Sequence, residues 1–541
     1  MKRSIYLLFN LAITGFIIAP MAYLFFLPKW EDYLSVFNHP QTLSAITNTF
    51  IVSISVSIIS TLFGLLLAWL ITRTDLPARN MLRTFFSLPY TVPAFIGAIG
   101  WIILANPNSG LLNEILSTQF NIYTMKGLIF VESTFLFTFS YLTTLAALDR
   151  MDSSLEEAAL LSGASSLRLF FDIHLPLLKP SLISGFILSF LATAASFGVP
   201  ALIGGPARLN FITTQIYTFQ RMGTQNSLQL SIATSVLLAL ITFALLYLIQ
   251  KKMTLQKNFI VSGKSSRITF LKLKYFKWPI FLMLIIIFII IFILPISALL
   301  LSSLSSTQGQ WDLQNITFNN YKRVLFETEE TVRAISQSII LALAAASICT
   351  VVAFTYCYFT FRTQFKAVKF FESILILPFS TPGSILALAI IVSFSQGYFG
   401  IGPSLYNTLG LIVFAYVLKY LSLSVKTISD GYQQIHPTLE EAAITSGASW
   451  FKILKTIYFP LLKTAAIASV FLVFMPSLSE LTMTLFLTGP GLETIGTMIF
   501  QFQEYSDMGG GGAAVLSILV ITFVLITNFF LKFISKGRYG L

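Results

Sequence analysis

Charged residues are scarce in this chain. Asp, Glu, Lys and Arg make up 10% of its 541 residues, whereas soluble proteins average about 25%. Such a deficit excludes an array of soluble globular domains. The net charge of +12 is spread over short loops instead of forming one basic patch, which argues against a nucleic-acid partner.

Cysteine and histidine are also rare. The two cysteines, Cys349 and Cys357, fall within one predicted helix, which excludes a disulfide framework. The three histidines, His39, His174 and His436, are scattered and have no carboxylates at ligand spacing. We therefore expect no metal centre, no catalytic residues and no cofactor bound by this chain.

Long apolar runs are abundant. Apolar residues make up 55% of the chain, and runs of about 20 residues, the length that crosses a bilayer, recur throughout. The first run is longer than the apolar part of a signal peptide, so we expect it to remain as a span. The pattern predicts an all-α polytopic membrane protein with about twelve transmembrane helices, at roughly 5–27, 49–71, 84–105, 127–148, 181–203, 229–250, 279–301, 336–360, 370–395, 408–428, 464–487 and 512–533.

The basic residues predict the orientation of these spans. If both termini are cytoplasmic, 27 Lys and Arg residues lie inside and 7 lie outside. The opposite orientation would violate the positive-inside rule. The external segments between spans are short, so we expect a separate protein or the membrane pathway to select the solute.

The chain repeats itself. LPYTVP at 88–93 returns as LPFSTP at 377–382, and Thr49 has a counterpart in Ser338. Such self-similarity predicts two parallel repeats of six helices each. We therefore divide the chain into a first transmembrane domain, a basic linker expected to act as a tether, and a second transmembrane domain, at 1–250, 251–278 and 279–541.

Two polar loops form the clearest repeat. Loop A, residues 156–176, reads EEAALLSGASSLRLFFDIHLP, and loop B, residues 440–460, reads EEAAITSGASWFKILKTIYFP. In each loop a glycine, Gly163 or Gly447, predicts a left-handed turn between two short helices. A hydroxyl residue three positions before a glutamate predicts a capping box, and a proline is expected to stop the second helix. These residues are Ser154, Glu157 and Pro176 in the first copy, and Thr438, Glu441 and Pro460 in the second.

The spacing of these loops resembles the cytoplasmic loop of ABC importer permeases, whose transport is powered by a separate ATPase. The matching residues are Glu157, Ala158, Ala159, Gly163, Ile173, Leu175 and Pro176, and then Glu441, Ala442, Ala443, Gly447, Ile457 and Pro460. The resemblance implies the type I ABC importer permease fold in a bacterial inner membrane. It also implies that an ATPase pair docks on these residues.

Further properties follow from the same resemblance. ATP and Mg²⁺ would be bound by the ATPase partner, and a solute-binding protein would dock outside. A single chain with both halves, and with SFGVPALIGGP after loop A, resembles the ferric-iron and thiamine importers. Iron is the expected solute, and thiamine, a phosphonate or a polyamine are the alternatives. The chain itself would not be an enzyme.

Six residues are candidates for the transport pathway. Prolines are expected to break the third and ninth spans, where freed backbone groups either line a pathway or form a packing kink. Glu480 is a costly carboxylate within the eleventh span, and it either faces the pathway or bonds to a neighbouring helix. The candidates are Pro89, Pro93, Pro378, Pro382, Glu480 and its repeat counterpart Ser196. Glu132 and Glu372 lie near span ends and are expected to be interfacial.

Two fragments resemble parts of ATPases. Gly263-Lys264-Ser265 ends like a P-loop, but Asn258 stands where the motif requires an earlier glycine. Leu161-Ser162-Gly163 lies inside loop A. We interpret both as chance matches. An ion-coupled secondary transporter and a membrane enzyme remain rival functions, although the first would need more membrane-embedded charges and the second a clustered catalytic set.

Overall fold

The computed structural model describes most of the chain, namely residues 2–255, 270–307, 309, 315–363, 368–505 and 511–534. Within these residues the secondary structure is helical, and only isolated β-bridges occur besides. Helices are expected here because the bilayer offers backbone groups no water, so each N–H and C=O must find its partner within the segment.

The first half of the sequence contains twelve α-helices. They are α1 (Lys2–Phe26), α2 (Trp30–Asn38), α3 (Thr42–Arg73), α4 (Arg79–Ser87), α5 (Ala94–Ala105), α6 (Leu111–Leu116), α7 (Met125–Asp149), α8 (Ser153–Leu161), α9 (Ser166–Arg168), α10 (Leu175–Ala195), α11 (Ile212–Arg221) and α12 (Gln225–Leu255). A 3₁₀ turn covers Leu88–Thr91, and π-helical turns cover Leu169–His174 and Pro200–Gly204.

The second half follows the same order among its described residues. Its helices are α13 (Lys277–Phe288), α14 (Leu294–Leu304), α15 (Asn319–Lys322), α16 (Glu329–Thr363), α17 (Val368–Ser380), α18 (Gly383–Phe394), α19 (Leu409–Tyr432), α20 (Thr438–Thr445), α21 (Trp450–Ile453), α22 (Phe459–Leu478), α23 (Thr482–Leu487), α24 (Ile495–Tyr505) and α25 (Gly511–Ile534). Short 3₁₀ or π-helical turns cover Lys274–Phe276, Ile289–Ile293, Arg323–Glu327 and Leu454–Tyr458.

Ten helical segments among the described residues are long and apolar enough to cross a membrane. Two further pairs of helices pass the same test together, but they bend by 96° at 91–94 and by 103° at 380–383. Counting each bent pair as one span gives twelve, six in each half of the sequence. The prediction of about twelve transmembrane helices in two six-helix repeats is confirmed.

The bends occur at the predicted prolines. Pro93 and Pro382 stand directly before α5 and α18, where they act as the N-cap residues, while Pro89 lies in the 3₁₀ turn and Pro378 lies near the end of α17. Nearly all residues of α5 and α18 are buried. The predicted breaks are therefore confirmed, and the helix that follows each break is covered by protein.

A hydrogen bond repeats in the two halves at the pair Thr49 and Ser338. The backbone N–H of Ile212 donates to the Thr49 hydroxyl at 3.1 Å. The N–H of Ile495 donates in the same way to the Ser338 hydroxyl at 2.8 Å. Each hydroxyl thus holds the start of a short helix, α11 or α24, to the second span of its own half. The duplication read from the sequence is therefore preserved in side-chain contacts.

The chain forms two compact units that differ from its sequence halves. One unit comprises Met1–Asp32, Tyr321–Tyr505 and Leu519–Leu541, and the other comprises Tyr33–Asn320 and Ser506–Ile518. In the first unit α1 packs against α16, α17 and α18. In the second unit α14 packs against α5. The first span of each half is therefore built into the unit of the other half.

The end of the basic linker is held against the end of α3. The N–H of Leu271 donates to the carbonyl of Arg73 at 2.9 Å, and the N–H of Asp75 donates to the carbonyl of Leu271 at 3.1 Å. The N–H of Leu273 donates to the Asp75 carboxylate at 2.8 Å, and this bond lowers the pKa of Asp75. The preceding part of the linker, residues 256–269, with Gly263-Lys264-Ser265, lies outside the described residues.

Candidate functional site

Loop A folds as two short helical segments joined by a glycine turn. Helix α8 ends where Gly163 adopts φ +82°. The N–H of Gly163 donates to the carbonyl of Leu160 and that of Ala164 to the carbonyl of Ala159, both at 3.0 Å, which is the Schellman pattern of a helix C-terminus. No atom lies within 4 Å of a Cβ placed on Gly163. The glycine is therefore required by its left-handed backbone and not by lack of space.

Loop B repeats this geometry. Gly447 follows α20 with φ +76°. Its N–H donates to the carbonyl of Ile444, and the N–H of Ala448 donates to the carbonyl of Ala443, both at 2.9 Å. The predicted left-handed turns are confirmed in both loops.

The predicted capping boxes are wrong. Helix α8 begins at Ser153, so Ser154 lies inside its first turn, and the side chain of Asp152 caps the helix by accepting from the N–H of Ser154 at 2.9 Å. In loop B, Thr438 is the first helical residue, and its hydroxyl lies 2.9 Å from Nδ1 of His436. A capping hydroxyl must belong to the residue that precedes the helix. Ser154 and Thr438 instead lie within the first turns of α8 and α20.

The first glutamate of loop A is buried beneath the loop. Glu156 and Arg73 are each 1% exposed, and Arg73 Nε donates to Glu156 Oε1 at 2.7 Å. Arg73 Nη2 also donates to the carbonyl of Leu148, the penultimate residue of α7, at 2.8 Å. One guanidinium at the end of α3 therefore holds both loop A and α7.

The ring of His174 completes this contact. Trp69 Nε1 donates to His174 Nδ1 at 2.9 Å, and His174 Nε2 lies 3.1 Å from Glu156 Oε1. Because an indole nitrogen only donates, Nδ1 must be the acceptor, so the ring proton is placed on Nε2, facing Glu156. We name Trp69, Arg73, Glu156 and His174 the Arg73 cluster.

Loop B has a matching contact 284 residues later. Glu440 corresponds to Glu156 and Tyr458 corresponds to His174. The Tyr458 hydroxyl donates to Glu440 Oε2 at 2.6 Å, and both side chains are buried. The sequence analysis selected Glu157, which is half-buried, and Glu441, which is exposed. It did not identify the preceding residues, Glu156 and Glu440, which are buried. The signal was available, because both loops begin with two glutamates.

The prediction that Pro176 and Pro460 stop the second helix is wrong. Each proline stands at the second position of a long helix, α10 or α22. Each helix continues directly from a π-helical turn whose last residue is His174 or Tyr458. The π-helical turn already interrupts the regular pattern of i→i−4 hydrogen bonds, so the missing N–H of the proline is accommodated there. The second segment of each loop is thus continuous with a membrane span, and it carries the buried ring.

Both loops, with the residue that precedes each, expose large apolar side chains at matched positions. Leu155 and Leu439, 284 residues apart, are 48% and 47% exposed. Leu167 and Phe451, also a matched pair, are 71% and 69% exposed. The remaining motif residues share this surface: Ala158, Gly163, Pro176, Ala442, Gly447 and Pro460 are exposed, and Ala159 and Ala443 are half-buried. An apolar patch presented twice in the same form is suited to two related partners.

Glu480 is fully bonded within its own half. It lies between α22 and α23, and Lys419 Nζ is 3.1 Å from its Oε1. The N–H of Met483 donates to Oε1 at 3.0 Å, while the N–H and the hydroxyl of Thr484 donate to Oε2 at 2.8 Å. These contacts match the alternative of a structural hydrogen bond, and the pathway role of Glu480 stays a prediction.

Ser196, the repeat counterpart of Glu480, follows the end of α10. It lines a small recess together with hydroxyl side chains of α3, α10 and the start of α11, which are Thr49, Ser53, Thr193 and Thr213. Glu132, expected to be interfacial, is instead fully buried on α7. The sequence-based placement of Glu132 is corrected, because helices of its own half cover it.

The comparisons with known proteins agree with this architecture. The family described as binding-protein-dependent transport system inner membrane component matches residues 60–255 and 358–538. The ferric transport system permease protein FbpB of Actinobacillus pleuropneumoniae is 26% identical over 514 residues, which cover 92% of this chain and 72% of FbpB.

Two further matches have other solutes in their names. The sulfate transport system permease protein CysT of Salmonella typhimurium is 31% identical over 234 residues, covering 43% of this chain and 82% of CysT. A solved bacterial ABC transporter involved in the import of alginate is 17% identical, with a TM-score of 0.37, over 49% of this chain and 98% of that one. Because the family match spans more than half of the sequence and occurs twice, the chain belongs to the inner-membrane permeases of ABC importers.

Proposed function

We propose that this permease imports ferric iron and that ATP hydrolysis in a separate protein drives the transport. The observation that carries the proposal is the similarity to FbpB, which extends over 92% of the chain and therefore over both halves. The loaded solute-binding protein would dock outside, and the two halves would then open the pathway alternately to each side. The membrane would be a bacterial inner membrane, with both termini in the cytoplasm.

The two loops are the proposed docking sites of the ATPase pair. Because the two loops share one geometry and expose apolar side chains at matched positions, they would give two related subunits equivalent docking surfaces. ATP and Mg²⁺ would be bound by those subunits. The docking residues are those of the sequence motif: Glu157, Ala158, Ala159, Gly163 and Pro176, with Glu441, Ala442, Ala443, Gly447 and Pro460.

The contacts beneath the loops support a mechanical role. The Arg73 cluster ties loop A to the end of α3, and the second segment of the loop is continuous with α10. A displacement of the loop would therefore be passed to two spans without a flexible joint. This is the property needed to convert closure of the ATPase into movement of the halves.

Sulfate is the second candidate solute, because the similarity to CysT has the higher identity, 31%, although it covers only 43% of the chain. Liposomes containing the permease, its ATPase and its binding protein distinguish the two. We expect ATP-dependent uptake of radioactive ferric iron, and no uptake of sulfate or thiamine above the background without ATP. Sulfate uptake in place of iron uptake would overturn the proposed solute. Loss of the ATPase on purification, with ion-driven uptake, would favour a secondary transporter.

The Arg73 cluster gives a test of coupling. Arg73→Met leaves the Glu156 carboxylate buried without its cation, which costs about 3–5 kcal/mol. We expect loop A to become sensitive to protease and uptake to fall, while ATP hydrolysis continues. Adding Glu156→Leu should remove most of the protease sensitivity, because no buried charge is then left unpaired. Normal uptake and normal protease resistance in Arg73→Met would contradict the role of the cluster.

The glycine turns give a second test of coupling. A proline at Gly163 or Gly447 cannot adopt the positive φ observed there. We expect either substitution to separate ATP hydrolysis from uptake without unfolding the spans, as measured in the same liposomes and by thermal unfolding. Gly15→Ala is the control, because α1 has open space at this position and alanine favours a helix. Coupled transport in both proline variants would refute the docking assignment.

The orientation is tested by cysteine labelling. Ser449 in loop B and Asn319, the first residue of α15, are both exposed, whereas the native Cys349 and Cys357 are buried and should stay unlabelled. With a reagent that does not cross membranes, we expect Ser449→Cys to react only from the cytoplasmic side. Asn319→Cys should react only from the outside. The reverse pattern would invert the topology and exclude ATPase docking on the loops.

A further inference from the structure

A buried acid in the first half lacks the partners that its environment requires. Glu132, on the second turn of α7, is 0% exposed. Neither carboxyl oxygen has a hydrogen bond of good geometry among the residues that the structure describes. Burying such a group without a partner is costly, and an ionisable residue inside a membrane protein usually has a role in transport.

The repeat shows what the second half has in its place. Thr124 and Thr408, 284 residues apart, cap α7 and α19 by accepting from the N–H three positions later, at 3.0 and 3.3 Å. In this register Glu132 corresponds to Tyr416. The Tyr416 hydroxyl lies 2.7 Å from the hydroxyl of Thr484, which itself donates to Glu480.

Glu132 and Glu480 therefore occupy equivalent sites in their halves. Glu132 stands on the fourth span, α7, whereas Glu480 follows the helix of the fifth span, α22. In the second half the acid, Glu480, stands at the position of Ser196, and a tyrosine stands at the position of Glu132. In the first half Glu132 lies on α7, and Ser196 directly follows α10, which packs against α7. The cation differs as well, because Lys419, the partner of Glu480, corresponds to Phe135. Of these two acids, Glu132 is the one that has no charge partner in the described part of the chain.

The neighbouring recess carries several hydroxyl side chains among apolar ones. Ser196 belongs to it, and so do Ser53, Thr193 and Thr213. The Ser53 hydroxyl, like the Glu132 carboxyl, is buried and has no partner among the described residues. Carboxylate and hydroxyl oxygens are the ligands preferred by hard cations. A single carboxylate binds such an ion weakly, as a carrier that must release its solute requires.

We propose that Glu132, with the hydroxyl of Ser196, is a transient ligand for the cationic solute in the first half of the permease. This rests on the proposed function, in which the solute is ferric iron. Since Glu132 is fully covered here, the ion would reach it only when the recess opens during transport. Glu480 would remain bonded to Lys419 throughout and would not be needed for the same step.

The test is a set of substitutions in liposomes with the ATPase and the iron-loaded binding protein. Glu132→Gln keeps the shape and removes the charge, so we expect uptake of iron to fall about tenfold or more, equivalent to about 1.4 kcal/mol. Glu132→Asp should retain more uptake than Glu132→Gln. Stimulation of ATP hydrolysis by the loaded binding protein should persist in both. Glu114→Gln, a substitution of an exposed glutamate, is the control for lost charge.

Uptake by Glu132→Gln at the rate of the unsubstituted permease would overturn the proposal, because it would exclude a charged ligand. If Glu132→Ala then abolished uptake, Glu132 would have a neutral hydrogen-bonding role, as an oxyanion solute would require. Uptake by the unsubstituted permease reports on the proposed function alone, so failure of that function is distinguishable from failure of the site.

A chemical test uses the unsubstituted protein and does not depend on the folding of a variant. Dicyclohexylcarbodiimide is an apolar reagent that modifies unpaired carboxyl groups within membrane proteins. We expect it to modify Glu132 and to spare Glu480, which is paired with Lys419. Ferric nitrilotriacetate should slow the modification of Glu132. Modification at an unchanged rate in the presence of the iron complex would contradict the proposal.

Discussion

The pairing of buried charge is the constraint on which the functional parts of this permease depend. A charge removed from water inside an apolar protein must meet an opposite charge or several hydrogen bonds. Arg73 meets Glu156, and Lys419 meets Glu480. The first pair joins loop A to α3, and the second joins α19 to the break between α22 and α23. The contacts that make burial of the charges possible therefore also connect separate helical elements.

The same constraint applies to the backbone. A helix that ends inside the bilayer leaves N–H and C=O groups without partners, and such ends are tolerated only within protein or beside water. The bends at Pro93 and Pro382 satisfy this rule, because the helices that follow them are almost wholly buried in their own units. The second helix of each bent pair is thus enclosed by protein, whereas the first helix still exposes apolar side chains such as Met81 and Phe370. Exposed apolar residues are also frequent on long helices such as α3 and α16, where the backbone is continuous.

Local patterns in the sequence predicted the features that depend only on residues close together in the chain. Apolar length predicted the spans, and Gly163 and Gly447 predicted the left-handed turns, because only the residue itself decides these features. The capping role of Ser154 failed because the spacing of a hydroxyl and a glutamate does not fix where a helix begins. The inward position of Glu156 depends on Arg73, which lies 83 residues earlier. The repetition of Glu156 as Glu440 indicates the importance of this position, but no pattern of neighbouring residues predicts that its side chain is buried.

The divergence of the two halves bears on how a duplicated chain forms one asymmetric pathway. At the crossing of the fourth and fifth spans, the two halves carry different sets of residues. In the second half Tyr416, Lys419 and Glu480 form a closed set that leaves no charge unpaired. In the first half Phe135 supplies no cation, so Glu132 keeps its bonding capacity. In the proposed role of Glu132, the solute would meet one available acid instead of two and would be held weakly. Such an arrangement would favour release over retention, which is what distinguishes a carrier from a storage site.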